Sequence, residues 1–326
     1  MPIKKVRLRA TSPKRLDDAL VDCLPQELGR AVSKAKARKL IMAGAVYLNG
    51  RPVRVASKPL SAGATIEAVI DVEKLFADAT ARDRKFELTE ERILYEDTDL
   101  LVIDKPPGIP AQPTLDEDRD SLFAAVGRFL HKRDGVAKPY VGVHQRLDRD
   151  TSGIVLYTKT QRVNAAVSEI FSKRRGVKTY QALTVCPPAG ARGKLQREWT
   201  VRNYLGKISS KGKTAKYGAV DSAGDLAETS FRLIAQFPRG LHIEATPKTG
   251  RTHQIRVHLS EHGLPILGDE LYCPDNRCAE MAPRLMLHAV RLIFPHPLTA
   301  RDISVESPLP TDFVHCLRLL KEAQRN

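Results

Sequence analysis

The chain has 326 residues, 42% of them hydrophobic and 6% aromatic, with a formal net charge of +15. That length suits one large domain with a packed core plus a small one, and no run nears the ~18 apolar residues of a membrane helix, so no membrane-spanning helix is expected. A pI of about 9.7 makes a polyanion the first partner to consider.

The charge is concentrated at the start. Residues 1–75 carry fifteen Lys and Arg against seven Asp and Glu, a net of +8, while the remaining 251 residues net +7. This reads as a separate docking module, with solubility as the plain alternative. Residues 1–13 are expected to form a basic tail, and no apolar segment of the secretory type follows the Lys-Lys-Val-Arg-Leu-Arg run. Residues 14–71 then read as a compact unit. Leu16, Ala19, Leu20, Cys23 and Leu24 recur at helical spacing, and Pro25 is expected to close that helix. A second helix over about residues 30–43 turns Ala31, Val32 and Ala35 toward a core and crowds Lys34, Lys36, Arg38 and Lys39 on its other faces, with Gly44 suited to the C′ position. Val46–Leu48, Asn49-Gly50 and Pro52–Val55 predict a hairpin with a type I′ turn, and Thr65–Ile70 a further strand.

In the stretches RLDDALVDCLP, KLIMAGAVYLNGRPV and PLSAGATIEAV, this order of helix, basic helix and hairpin resembles the small RNA-binding domain of the fourth small-subunit ribosomal protein and of several RNA-modifying enzymes. The resemblance implies RNA contacts from Lys34, Arg38 and Lys39. A generic α+β mini-domain with a solvated basic face is the alternative.

Residues 72–90 are charged without periodicity and read as a linker to a domain spanning residues 91–326. Leu100–Ile103 is an apolar run stopped by Lys105-Pro106-Pro107-Gly108, and Asp120–His131 is helical. Further strands are expected near residues 154–158, 179–185, 229–235, 240–246, 287–293 and 303–306, with helices near 161–173 and 252–262. Many strands, few helices and no regular βαβ alternation predict an α+β domain with a large mixed, mainly antiparallel sheet and flanking helices. The odd, scattered cysteines (Cys23, Cys186, Cys273, Cys278, Cys316) predict reduced thiols in a cytoplasmic protein and no metal site.

Three segments hold the candidate chemistry. His144–Gly153 sets Asp148 in a polar loop between apolar runs; Lys178-Thr179-Tyr180 opens a strand; Thr249–His258 carries Arg251, His253, Ile255 and Arg256. A carboxylate, a tyrosine able to stack on a base, and an arginine to keep the carboxylate ionised form a coherent base-modifying set. His253 and His258 lie five apart, the wrong spacing for metal on one helical face, and read as structural.

The ordered motifs HQRLDRDTSGIVLYTK, KTYQALTV, TGRTHQIRVHL, PILGDELY and RLMLHAVRLIFPHP, preceded by LYEDTDLLVIDKPPGIPAQPT, resemble the RluA-type pseudouridine synthases over residues 88–310. The resemblance implies isomerisation of uridine to pseudouridine in RNA, without cofactor, metal or guide RNA, by one catalytic aspartate that maps to Asp148. It further implies that Arg251 pairs with Asp148, that Tyr180 packs on a flipped-out uracil, that Arg146 fills the vacated stack, and that Ile255 walls the pocket. The plain alternatives are a turn-capping Asp148, a phosphate contact or surface ion pair for Arg146, and core packing for Tyr180 and Ile255. The family writes His directly before Arg-Leu-Asp, whereas Gln145 stands there now, which leaves His144 without an assigned role. Large-subunit ribosomal RNA is the favoured substrate, and the expected state is a monomer. The rival readings are a non-catalytic RNA-binding or ribosome-assembly factor and the same activity on tRNA.

Overall fold

The computed structural model describes residues 3–10, 12–72, 75, 85–113, 120–187, 196–209, 215–221, 223–273, 278 and 282–322, leaving out the side chains of residues 35 and 39. The chain divides into two compact units, one containing Met1–Lys85 and the other built from Phe86–Gln112 and Ser121–Asn326.

The first unit runs β1 (Ile3–Arg9), β2 (Lys14–Arg15), α1 (Leu16–Leu28), α2 (Lys34–Met42), β3 (Val46–Leu48), β4 (Arg51–Pro52), β5 (Pro59–Leu60) and β6 (Thr65–Asp71). The expected basic tail is instead a sheet strand: β1 pairs antiparallel along all of β6, Val6 opposite Ala68. Val6 is buried while Lys5, Arg7 and Arg9 are exposed. That is a period-2 pattern which the density of charge conceals. Pro25 does not end α1, which continues to Leu28 and closes where the Gly29 N–H donates to the Pro25 carbonyl at 3.0 Å. A proline weakens a helix interior, but here only one turn follows it, and Leu16, Ala19, Leu20 and Leu24 are buried beneath. The second helix starts at Lys34, where the Ser33 hydroxyl accepts the Lys36 N–H at 3.3 Å, so residues 30–33 lie outside it. The hairpin turn is as expected, since Asn49 and Gly50 both have positive φ as a type I′ turn requires, but its second strand is only Arg51–Pro52 and not Pro52–Val55.

The linker assignment for residues 72–90 falls mostly on residues 73–74 and 76–84, outside the described residues. Its end is not a linker, since Leu88 and Phe86 pack with Leu122 and Val126 in the core of the second unit. That unit runs β7 (Ile93–Glu96), β8 (Leu100–Lys105), α3 (Leu122–Asp134), β9 (Gly142–Val143), β10 (Ser152–Thr158), α4 (Asn164–Ser172), β11 (Val177–Thr184), β12 (Glu198–Ser209), β13 (Lys216–Ala219), β14 (Asp225–Phe237), β15 (Gly240–Pro247), α5 (Gln254–Glu261), β16 (Leu287–Pro295), β17 (Asp302–Glu306) and α6 (Thr311–Lys321). The strands form one mixed sheet in the order β13-β12-β14-β15-β11-β16-β10-β8-β7, with β17 on β16 and β9 on β10. The β10–β16 pair is parallel and the others antiparallel. Strands β8 and β10 are buried on both faces, hence their unbroken apolar sequence. Leu101, Ile103, Val155 and Tyr157 pack on α3, and Leu100, Val102, Ile154 and Leu156 on α4.

Strands β12 and β13 and helix α6 have no counterpart in the sequence reading. In β12 only Val201 and Leu205 are buried, too sparse for an alternation signal. The reduced-thiol expectation fails for one pair, because Cys273 and Cys278 are joined in a disulfide. Their Cα atoms lie 6.3 Å apart, within disulfide range whatever the total number of cysteines. Among the described residues no helix is long and apolar enough to cross a membrane.

One ion cluster ties the first unit together. The carboxylate of Asp17, fully buried, accepts from Arg15 at 3.0 and 3.1 Å and from Arg38 at 2.9 Å. Burial opposes ionisation there, yet the two guanidinium groups hold its pKa down at about 2, against an ordinary 3.8. A depressed carboxylate stabilises the fold above its unfolded pKa and loses that contribution as pH falls through the folded one. Asp17→Asn should therefore lower stability by about 1–2 kcal/mol at neutral pH, discounted because both arginines are half exposed. In urea unfolding, the gap from wild type should close as pH falls from about 4 to 2.

Candidate active site

Asp148 lies in the loop between β9 and β10, and three devices fix that loop. The Thr151 N–H closes a turn onto the Asp148 carbonyl at 3.2 Å, and the Gly108 N–H donates to the Arg149 carbonyl at 2.9 Å. Lys105, at the end of β8, is fully buried and donates to the carbonyls of Arg149, Ile109 and Pro106 at 2.8, 2.9 and 3.0 Å. Burial draws its pKa down to about 7, with Asp150 and Asp148 pulling the other way. Gly153, at φ +106°, lies so close to β16 that a Cβ there would sit 2.2 Å from the Ala289 carbonyl oxygen, so only glycine fits.

The sheet brings the second segment to the same place. Lys105, Gly153, Ala289, Tyr180 and Ala245 are register partners in succession across five strands. A shift of register between Thr179 and Tyr180 re-aims the strand. Lys178 lies over the Phe171 ring at 4.7 Å, whereas Tyr180 joins the cluster containing Ile255 and Leu259 of α5. Burial, with the Asp148 charge nearby, raises the Tyr180 pKa, so it remains a phenol at neutral pH.

The Asp148 side chain is 27% exposed, and its Oδ2 accepts from Arg256 Nη1 at 3.0 Å. Arg256 is turned and held by Asp269, a fully buried carboxylate that takes Nε and Nη2 at 2.8 and 2.9 Å. Asp269 Oδ1 also accepts the N–H groups of Leu271 and Tyr272, both at 3.0 Å, and the guanidinium lies over the Tyr272 ring at 5.0 Å. Nε2 of His253 is 3.9 Å from Asp148 Oδ2.

The expected Arg251–Asp148 pair is not formed; Arg256 takes that place. Arg251 is 41% exposed, with Nε on the Leu226 carbonyl at 3.1 Å and Nη1 3.5 Å from Asp225. The reason is where the helix begins. Residues 250–253 precede α5, so Arg251 stays on the approach while Arg256 lies in the first turn of the helix. His253 and Arg256 are three apart, the spacing of neighbours on one helical face, a signal present in the sequence.

The other predicted residues are dispersed. Arg146 is exposed and has no ion-pair partner among the described residues. Ile255 is buried in the core cluster beside Tyr180. Lys34 pairs with Asp18 at 2.5 Å and Arg38 with Asp17, so in the first unit both charges already have partners; the Lys39 side chain lies outside the described residues. The His144 ring meets Ser168, Asn164 and Thr158 at 3.1–3.3 Å, a seat against α4. His258 is buried between Thr229 and Asn203. No group of three or more His, Cys, Asp or Glu is gathered for a metal ion among the described residues.

Lys105→Met removes the ammonium donor from the Ile109 and Pro106 carbonyls, while the Arg149 carbonyl keeps only the Gly108 N–H. Stability should fall by about 2–4 kcal/mol in urea unfolding, and the Gly108 amide should exchange faster than in wild type.

A family model described as RNA pseudouridylate synthase matches residues 99–261, and one described as S4 domain matches residues 14–66. Ribosomal large subunit pseudouridine synthase D of Pseudomonas aeruginosa is 32% identical over 244 residues, 72% of each chain. The protein of the same name from Pasteurella multocida is 29% identical over 322 residues, covering 94% of this chain and 91% of that one. Among solved structures, human RNA Pseudouridylate Synthase Domain Containing 4 matches with a TM-score of 0.56 and 26% identity, over 77% of this chain and 98% of its own.

Proposed function

The chain belongs to the RNA pseudouridylate synthase family, and from that premise we propose that it modifies large-subunit ribosomal RNA with Asp148 as the catalytic carboxylate. Members isomerise uridine to pseudouridine: the N1–C1′ bond breaks, the uracil turns, C5 bonds to C1′, N1 gains a proton and C5 loses one. The base must leave its stack to be reached. An ionised carboxylate can add to the ring, add to C1′ or remove a proton from the sugar, and all three routes need its charge.

The single observation that carries this reading is the 3.0 Å contact of Arg256 with Asp148, beside Tyr180 and at the mouth of a fixed loop. Tyr180, kept protonated, offers a flat ring and a hydroxyl to the base, with Ile255 as pocket wall, and exposed Arg146 is free to enter the vacated stack. The substrate assignment rests on the names of the curated relatives and on the S4-type first unit, which would grip RNA directly, without a guide RNA. The protein would act as a cytoplasmic monomer.

Asp148→Asn should abolish pseudouridine formation while RNA affinity changes little; turnover in that variant would refute the assignment. Arg256→Met should lower kcat by about 100-fold or more, and Arg251→Met by less than about threefold, reversing the expectation drawn from the motif alone. Removing residues 1–85 should weaken RNA binding and flatten its salt dependence, since fewer counterions are released. Pseudouridine maps of ribosomal and transfer RNA from cells with and without the protein decide the substrate. Loss confined to tRNA would replace it.

A further inference from the structure

His253 plays no part in the mechanism above, yet it is held as tightly as Arg256. Its backbone is left-handed, at φ 57° and ψ 18°, a conformation that a non-glycine residue keeps only where its surroundings impose it. Its ring stands edge-on to Tyr217 and Tyr272, with centroids 5.8 and 5.5 Å away. The Tyr272 oxygen accepts the Tyr217 N–H at 3.0 Å, which leaves its own proton to point at His253 Nδ1, 2.9 Å away. With Nδ1 accepting, a neutral imidazole carries its proton on Nε2. That nitrogen faces Asp148 Oδ2 at 3.9 Å.

We infer that His253 is a positioning residue for Asp148: its Nε2–H and Arg256 Nη1 converge on Oδ2, so that Oδ1 is the oxygen presented to the substrate. The inference rests on Asp148 being the catalytic carboxylate. Donor contacts in unliganded sites are often long and shorten in the substrate complex, and 3.9 Å is within reach of such a closure. Burial lowers the imidazole pKa against the pull of Asp148, with Arg256 adding to the fall and Asp269 opposing it, which suits a neutral donor. One donor on Oδ2 still allows the carboxylate to swing about it. Two donors from different directions fix the plane of the group.

The test uses the full chain in single-turnover assays on a large-subunit ribosomal RNA transcript, with melting temperatures measured alongside. His253→Phe should lower the rate constant by about 10- to 100-fold with RNA affinity within about twofold of wild type. His253→Gln, whose amide nitrogen reaches the Nε2 position, should recover most of the rate. His253→Asn, which reaches only the Nδ1 position, should not. Tyr272→Phe should fall in the same direction and add little to His253→Phe, since both remove one device. The inference is overturned if His253→Phe turns over like wild type, if Gln and Asn variants of equal melting temperature are equally slow, or if only RNA affinity changes. Asp148→Asn serves as the control for the underlying reading. If it is inactive while His253→Phe is normal, only the positioning role fails; if it is active, the reading beneath it fails.

Discussion

One arginine shared by two carboxylates holds the site together. Arg256 gives the long edge of its guanidinium to Asp269 and its remaining terminal nitrogen to Asp148. The fork is planar and matches a carboxylate in two parallel bonds, so Asp269 fixes the direction of the third bond. A lysine in its place would be a point charge with no such edge. Because Asp269 is buried and further bonded by two backbone N–H groups, its charge is satisfied without Asp148. The trio carries one net negative charge, and the exposures place it at the open end: Asp269 is fully buried, Arg256 11% exposed and Asp148 27% exposed.

The sheet makes this arrangement possible between segments about a hundred residues apart in sequence. Strand β16 enters late in the chain yet lies between β10 and β11, so Ala289 is the common neighbour of Gly153 and Tyr180. Only at a glycine can β16 approach the end of the Asp148 loop so closely. Lys105 answers the opposite need. The loop turns three backbone carbonyls toward one buried ammonium, which donates to each of them.

Much of this was legible in the sequence where local chemistry decides. The Asn49-Gly50 hairpin, the doubly buried strands around Leu101 and Val155, the polar Asp148 loop and the mixed sheet follow from turn chemistry and period. What was hidden depends on where an element begins. Arg251 and Arg256 are equivalent cations until the helix start at Gln254 is known; then only one faces the loop. Strand β1 was concealed because five of its seven residues are Lys, Arg or exposed Ile, and its partner β6 lies some sixty positions away. Helix α6 buries Phe313, Cys316 and Leu320, three and four apart, a spacing that could have been read. The disulfide had no local signal, since pairing depends on the distance between two backbone positions.

On the proposed reading Asp148 is an acidic catalyst for a polyanion, and that role sets a conflict of charge. RNA phosphates within a Debye length, about 8 Å at physiological salt, repel a bare carboxylate, and a chain with net charge +15 gains its affinity from the opposite sign. The geometry separates the two demands. Asp148 is only partly exposed within the loop and pairs with Arg256, while Arg146, two residues earlier, stands exposed. On that reading attraction is offered by the exposed Arg146 and the anion by the less exposed Asp148. The same partial burial lets an arginine hold the carboxylate more strongly than it could in open water, because screening falls as solvent is excluded. A carboxylate moved outward to the position of Arg146 would lose both advantages at once, which is why the acid follows the arginine into the loop.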